Sequence, residues 1–320
     1  MLQPQCGLRY ALIFILESLL SNFKNSKHKH TLRFRLKKGF LRIAVLNDFS
    51  LDAPLVAVAW QVVIAKSLSV TLDAHHHLIL GISVWLCYSA DRFSEPRQVV
   101  AMSSRRYEIY KKHKFVFLVI WVTLLLLALS LSFVVLPLDC FFWGVPLFVL
   151  SVANLALCLR ESHSGIPSPV FKELRTAGIL ALGCFFFPAY ESSPEAMNSS
   201  MTIVVLFYLL FINCVSVSRW ELANDHRRGS LSFLQRTPKL LTALSRTKLL
   251  AALALGVVLA SGMSICLGTF LLAHALTIVV FVLWLDEISF LDEDEKRKVI
   301  DQGYWVLPLL MLSLDHAGLF

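Results

Sequence analysis

Two short acidic clusters hold the residues best suited to chemistry. The first reads Cys87-Tyr88-Ser89-Ala90-Asp91-Arg92-Phe93-Ser94-Glu95, and the second Ser218-Arg219-Trp220-Glu221-Leu222-Ala223-Asn224-Asp225. Each contains two carboxylates at i and i+4, a spacing that stacks them on one face of a helix. A single pair of this kind is an ordinary helix-end feature. Two pairs, each closing an apolar block and opening a basic stretch, are the donors a divalent-cation site needs, because Mg²⁺ takes oxygen ligands alongside substrate phosphates. Asp91, Glu95, Glu221 and Asp225 are therefore the candidate metal and catalytic residues. Arg97, Arg105 and Arg106 follow the first cluster, and Lys172 and Arg175 open a later apolar block. These five are candidate phosphate contacts, since guanidinium and ammonium groups grip phosphate oxygens. The competing role for each is to fix topology or to meet lipid headgroups.

The elements that must position these residues are apolar blocks. The chain of 320 residues is 57% hydrophobic and 16% charged, with a mean hydropathy of +0.67. Soluble domains carry roughly 45–50% apolar and about 25% charged residues. The apolar residues gather into blocks at about 52–70, 76–90, 115–136, 140–158, 174–190, 201–218, 247–263, 266–285 and 303–318. Most are long enough to cross a bilayer as a helix, and a helix satisfies its own backbone hydrogen bonds in lipid. The block at 76–90 is short and borrows length from polar flanks. Runs of Leu, Val and Phe without strict alternation argue against a membrane β-barrel. The expected fold is an all-α polytopic transmembrane bundle of about nine spans. Residues 1–50 form an N-terminal segment, with an interfacial helix near 8–21 and a basic stretch over 24–42, and residues 51–320 form the helical domain.

The charge pattern sets the orientation. With nine spans and a cytoplasmic N-terminus, all of the 30 Lys and Arg residues except Lys66 fall on the inner side. This is the positive-inside pattern. It places the loops at 91–114 and 219–246 in the cytoplasm and the C-terminus outside, as in a multi-pass protein of a bacterial inner membrane. It also accounts for the net charge of +8 without nucleic acid, since no aromatic-interleaved basic surface stands apart from the apolar blocks.

Other features read as structural. His75-His76-His77 lacks i,i+4 ligand spacing and reads as a solvated loop end at the outer mouth of the second block. The seven cysteines are scattered without a CxxC pair and read as buried thiols. Gln61, in mid-span, is expected to face a cavity or bond a neighbouring helix. The acidic run from Asp286 to Asp301 reads as a solvated inner connection. Asn198-Ser199-Ser200 has the form of a glycosylation sequon in an outer loop. Phosphate-binding P-loops, nucleophile elbows and zinc-protease motifs are absent from the sequence.

The order of blocks and acidic clusters resembles the UbiA-type intramembrane prenyltransferases over about residues 47–318. That family has nine helices, an N-D-x-x-D-x-x-x-D motif after the second and a D-x-x-D-x-x-x-D motif after the sixth. Asp91 and Glu95 match the last two acids of the first motif, and Glu221 and Asp225 the last two of the second. Cys87-Tyr88 stands where the first motif opens with Asn-Asp, and Ser218 where the second opens with Asp. Leu51-Asp52-Ala53-Pro54 at the first span and Lys172-Glu173-Leu174-Arg175 at the fifth are also similar. The resemblance implies transfer of a prenyl group from a prenyl diphosphate to a hydrophobic, often aromatic, acceptor, with Mg²⁺ as cofactor. The allylic cation that develops needs a water-poor, aromatic chamber. Trp60, Trp85, Phe185, Phe186, Phe187 and Tyr208 are suitable material, or ordinary packing and lipid-facing aromatics. The altered motifs leave two alternatives: a catalytically inactive relative that binds an isoprenoid lipid or a partner, and a small transporter.

Overall fold

The computed structural model describes residues 46–93, 109–110, 112–164, 171–192, 200–228, 274–275, 277–282, 285 and 293–316. Among them the chain is all-helical, with no strand. Seven long helices follow one another: α1 Asp52–Ser67, α2 Ala74–Phe93, α3 Lys114–Val135, α4 Leu138–Ser164, α5 Lys172–Glu191, α6 Ser200–Arg228 and α7 Glu293–His316. Three are long and apolar enough to cross a membrane, over Lys114–Val135, Leu138–Glu161 and Thr202–Trp220. The expected block at 247–263 lies outside the described residues, and the one at 266–285 lies partly outside them.

α1 is the axis of the bundle. It packs against α2, α5 and α7, and Ala57, Trp60, Val63 and Ile64 along it are fully buried. Its buried residues occur all round the helix, so its neighbours enclose it. α5 and α6 pack on each other, and α7 closes on both α1 and α6. One continuous core joins Trp60, Ile64, Ala177, Leu206, Leu209, Ile278, Ile300 and Tyr304. Tyr304 anchors α7 by donating its hydroxyl proton to the Leu209 carbonyl at 2.8 Å. At Gly303, the ring of Phe281 occupies the place a Cβ would take, so only glycine admits this approach.

α3 and α4 sit at the periphery. Only Phe117 and Ala128 of α3 are buried, while Phe115, Phe133 and Val134 are widely exposed. In water so large an apolar surface would aggregate. In a bilayer it is the surface that faces lipid.

Two expectations need correction. The acidic run was expected to be a solvated connection up to Asp301, with the last span starting at 303. Helix α7 begins at Glu293 instead, and Arg297 and Ile300 are buried within it. The three consecutive histidines do not form a loop end. They open α2, where His76 is buried and the His77 Nδ1 lies 2.6 Å from Gln61 Oε1. Gln61 thus bonds a neighbouring helix. Lys66, the basic residue that departs from the inner-side pattern, pairs with Asp315, joining the C-terminal ends of α1 and α7.

Candidate functional site

Polar side chains converge where α1, α5 and α7 begin and where α2 and α6 run toward their C-terminal ends. α5 opens at Lys172 after an extended Phe171. Its first turn carries Glu173, a position that the helix dipole favours for an acid. The two side chains reach different helices. Lys172 Nζ lies 3.5 Å from Asp91 Oδ2 on α2. Glu173, only 5% exposed, accepts a 2.8 Å hydrogen bond from Ser218 Oγ on α6. Adjacent residues of α5 therefore join the helices that carry the two acidic clusters.

A second polar group lies between α1, α6 and α7. Asn47 Nδ2 donates to Asp52 Oδ2 at 2.5 Å. Asp52, in the first turn of α1, is hydrogen-bonded to Asp301 of α7. Asn213 Nδ2 of α6 reaches Asp301 Oδ1 at 3.5 Å. Asp301 lies N-terminal to the apolar run at 303–318. Burial and the adjacent Asp52 carboxyl hold its pKa well above the carboxylate range, against the opposing pull of Arg297.

The expected site residues fall into four groups. Asp91 and Lys172 are brought together. Arg175 points elsewhere: its Nε donates to Asn154 Oδ1 at 2.9 Å, and its two terminal nitrogens reach the Glu161 carboxylate at 3.2 and 3.1 Å. This fork ties α5 to α4 and engages the guanidinium that was expected at phosphate. Glu221 and Asp225 lie one turn apart on α6, where the backbone alone is described. Glu95, Arg97, Arg105 and Arg106 lie outside the described residues.

Several members were not expected from sequence as functional residues. Glu173 and Asp52 belong to family-like segments without having been assigned a role. Asp301 was hidden in the acidic run. Its signal was the spacing Arg297, Asp301, Tyr304, which repeats at i, i+4 and i+7 and marks one helix face. Of the aromatic candidates, Trp60, Trp85 and Phe187 are buried, and Phe185 and Tyr208 pack against the main core. Tyr88 packs there too.

At the opposite end of α2, Asp73, His75 and His76 place potential ligand atoms within 4.8 Å of one another. The backbone N–H of Asp73 donates to His76 Nδ1 at 3.2 Å. That nitrogen is then an acceptor, and the neutral ring carries its proton on Nε2. This tautomer leaves His76 no free lone pair for a metal, and its Nε2 sits 4.0 Å from Glu191 Oε1. The trio is a hydrogen-bonded helix start that joins α2 to α5.

Comparisons of the chain with protein-family models, with curated proteins and with solved structures find no match.

Proposed function

We propose that this chain is an integral membrane prenyltransferase of about nine spans, which transfers a prenyl group from a prenyl diphosphate to a hydrophobic acceptor with Mg²⁺. One observation carries the reading. Lys172 meets Asp91, and its neighbour Glu173 meets Ser218, the position where the second motif lacks its opening acid. Glu173 thus supplies from α5 a carboxylate beside the place where the resemblance lacks one. The donor set of carboxylates and a hydroxyl fits a hard cation.

In this reading Asp91, Glu173, Glu221 and Asp225 would hold Mg²⁺, which would supply positive charge for the diphosphate oxygens. Lys172 stands beside Asp91 and offers its ammonium group to the same oxygens. The allylic C–O bond breaks, and its electron pair leaves with the diphosphate. A carbon of the acceptor then forms the new C–C bond and gives up its proton to the released diphosphate. Asp91, Glu173, Glu221 and Asp225 hold the charge at the inner membrane face, while the apolar interior of the bundle keeps water from the cation.

The carboxyl of Asp301, held against Asp52 with its pKa raised, favours a second reading, a proton-linked transporter, because a carboxyl that keeps its proton inside a bundle is a means of coupling. A single assay separates the two. Purified protein is given a panel of prenyl diphosphates and aromatic acceptors, with Mg²⁺ or with chelator. Mg²⁺-dependent diphosphate release supports the transferase. Its absence with every donor, alongside substrate-driven proton uptake into vesicles, overturns it in favour of transport.

A further inference from the structure

One groove lies apart from the polar site. It lies between α1, α2 and α3 and has a volume of about 1280 Å³. Ligand pockets for small molecules span about 300–1,000 Å³, so this space exceeds their usual size. Its wall on α2 is one stripe, Ala74, His77, Leu78, Gly81, Ile82 and Trp85, at helical spacing over 11 residues. At a rise of about 1.5 Å per residue this stripe runs about 17 Å. One leaflet of the hydrocarbon core is about 15 Å deep. The groove therefore has the length of a single lipid chain in a single leaflet.

Its two ends differ. The inner end is built: Trp85 Nε1 and the Tyr110 hydroxyl both donate to the Phe49 carbonyl, at 3.1 and 3.4 Å, and Phe117 stacks on Tyr110. Lys112 and His113 line this mouth, and both are exposed. Toward the outer end the wall meets His77, which is held by Gln61. Cationic and hydrogen-bonding groups at the inner mouth, below an apolar channel one leaflet deep, complement an anionic head on a hydrocarbon tail. Asp91 lies six residues beyond Trp85, on another side of α2, and meets α5. The groove and the polar site are separate.

We infer that the groove between α1, α2 and α3 binds an anionic phospholipid of the inner leaflet, one acyl chain lying along Gly81 and the phosphate resting on Lys112 and His113. The inference rests on the membrane reading of these helices and is independent of prenyl transfer. Gly81 is the point where the tail approaches α2 most closely. A Cβ there would meet only Val58 Cγ2 at 3.5 Å, an ordinary contact. The backbone thus accepts a side chain at this position, and that side chain would fill the channel.

The test is native mass spectrometry of the full-length protein from detergent. The detergent carries equimolar phosphatidylglycerol and phosphatidylcholine with identical palmitoyl-oleoyl chains. The parent should retain one lipid per monomer, with phosphatidylglycerol favoured about fivefold, the effect of one basic residue at the surface. Lys112→Glu should abolish the preference while leaving chain binding in place. Gly81→Leu should lower retention of both lipids in a protein that stays monodisperse. Diphosphate release is not part of the readout, so failure of the transferase reading leaves this result intact. Equal retention of the two lipids by the parent would overturn the inference, as would a preference unchanged by Lys112→Glu. A dimer that Gly81→Leu dissociates would put a second copy, not a lipid, in the groove.

Discussion

Replacing Ser218 by Asp puts an acid beside Glu173, and the structure makes its consequence calculable. Ser218 Oγ now donates to Glu173 at 2.8 Å. An Asp carboxylate at this position faces the Glu173 carboxylate across about the same gap, next to a side chain that is 5% exposed. Two like charges about 4 Å apart repel by about 4 kcal/mol at an effective dielectric of about 20. Without metal that repulsion falls on the α5–α6 contact. At about 2–4 °C per kcal/mol, the melting temperature should drop by on the order of 10 °C. Ser218→Asn is the control, because it keeps a donor facing Glu173 and adds no charge. The assay is thermal unfolding in detergent with chelator at pH 8, repeated with Mg²⁺ and again at pH 5. Mg²⁺ should restore most of the loss by bridging the carboxylates, and so should acid, which lets the pair share a proton. Equal melting of the Asp and Asn variants in chelator at pH 8 would refute the reasoning. A loss that acid repairs and Mg²⁺ does not would place the carboxylates together and deny the metal.

Asp91→Asn and Asp225→Asn should each lower Mg²⁺-dependent diphosphate release by orders of magnitude at normal expression, since a metal-bridged leaving group depends directly on that charge; turnover assays on both check this. Arg175→Ala should cost about 1.5–3 kcal/mol of stability by removing its charged hydrogen bonds to Glu161, whereas on the transferase reading Lys172→Ala should weaken donor binding with little change in melting, so paired melting and binding measurements separate the two. The raised pKa of Asp301 means that its share of stability is full at acid pH and is lost as pH rises through the raised value. Melting temperature should therefore fall on the alkaline side in the parent and less so in Asp301→Asn, and parallel profiles would contradict the raised pKa of Asp301. Cysteines placed at 66 and 315 should cross-link with an impermeant reagent added from the outer side alone, which checks the orientation.

The long apolar runs are the part of the fold most legible in sequence, because hydropathy over a span averages many residues. α3 and α4 read directly as membrane helices for that reason. Averaging is also why α7 was cut short. From Glu293 to Lys298 every residue is charged, and a window over them reports solvent. It does not register that Arg297, Asp301 and Tyr304 share a face that turns toward α1 and α6. The site was half legible. Asp91 and Lys172 were named on type and position, and the structure brings them into contact. Glu173 lies next to Lys172 in sequence, yet its partner Ser218 is 45 residues away, and no local pattern pairs them. Arg175 shows the opposite limit. A basic residue opening a span looks the same whether it meets phosphate or an internal carboxylate, and the deciding partners, Asn154 and Glu161, lie on another helix.

The pairing of Lys66 with Asp315 has a consequence in the time domain. The two residues are 249 positions apart, so the ribosome must add nearly the whole domain after α1 has emerged before the partner exists. At about 5–20 residues per second this interval is on the order of 12–50 s. Throughout it α1, the helix most completely enclosed in the finished protein, has no α7 to cover it. Over that interval Asp52 lacks Asp301 and Lys66 lacks Asp315. A chain released early, before α7, would therefore expose its central helix, and membrane proteases that survey unassembled segments would meet α1 first.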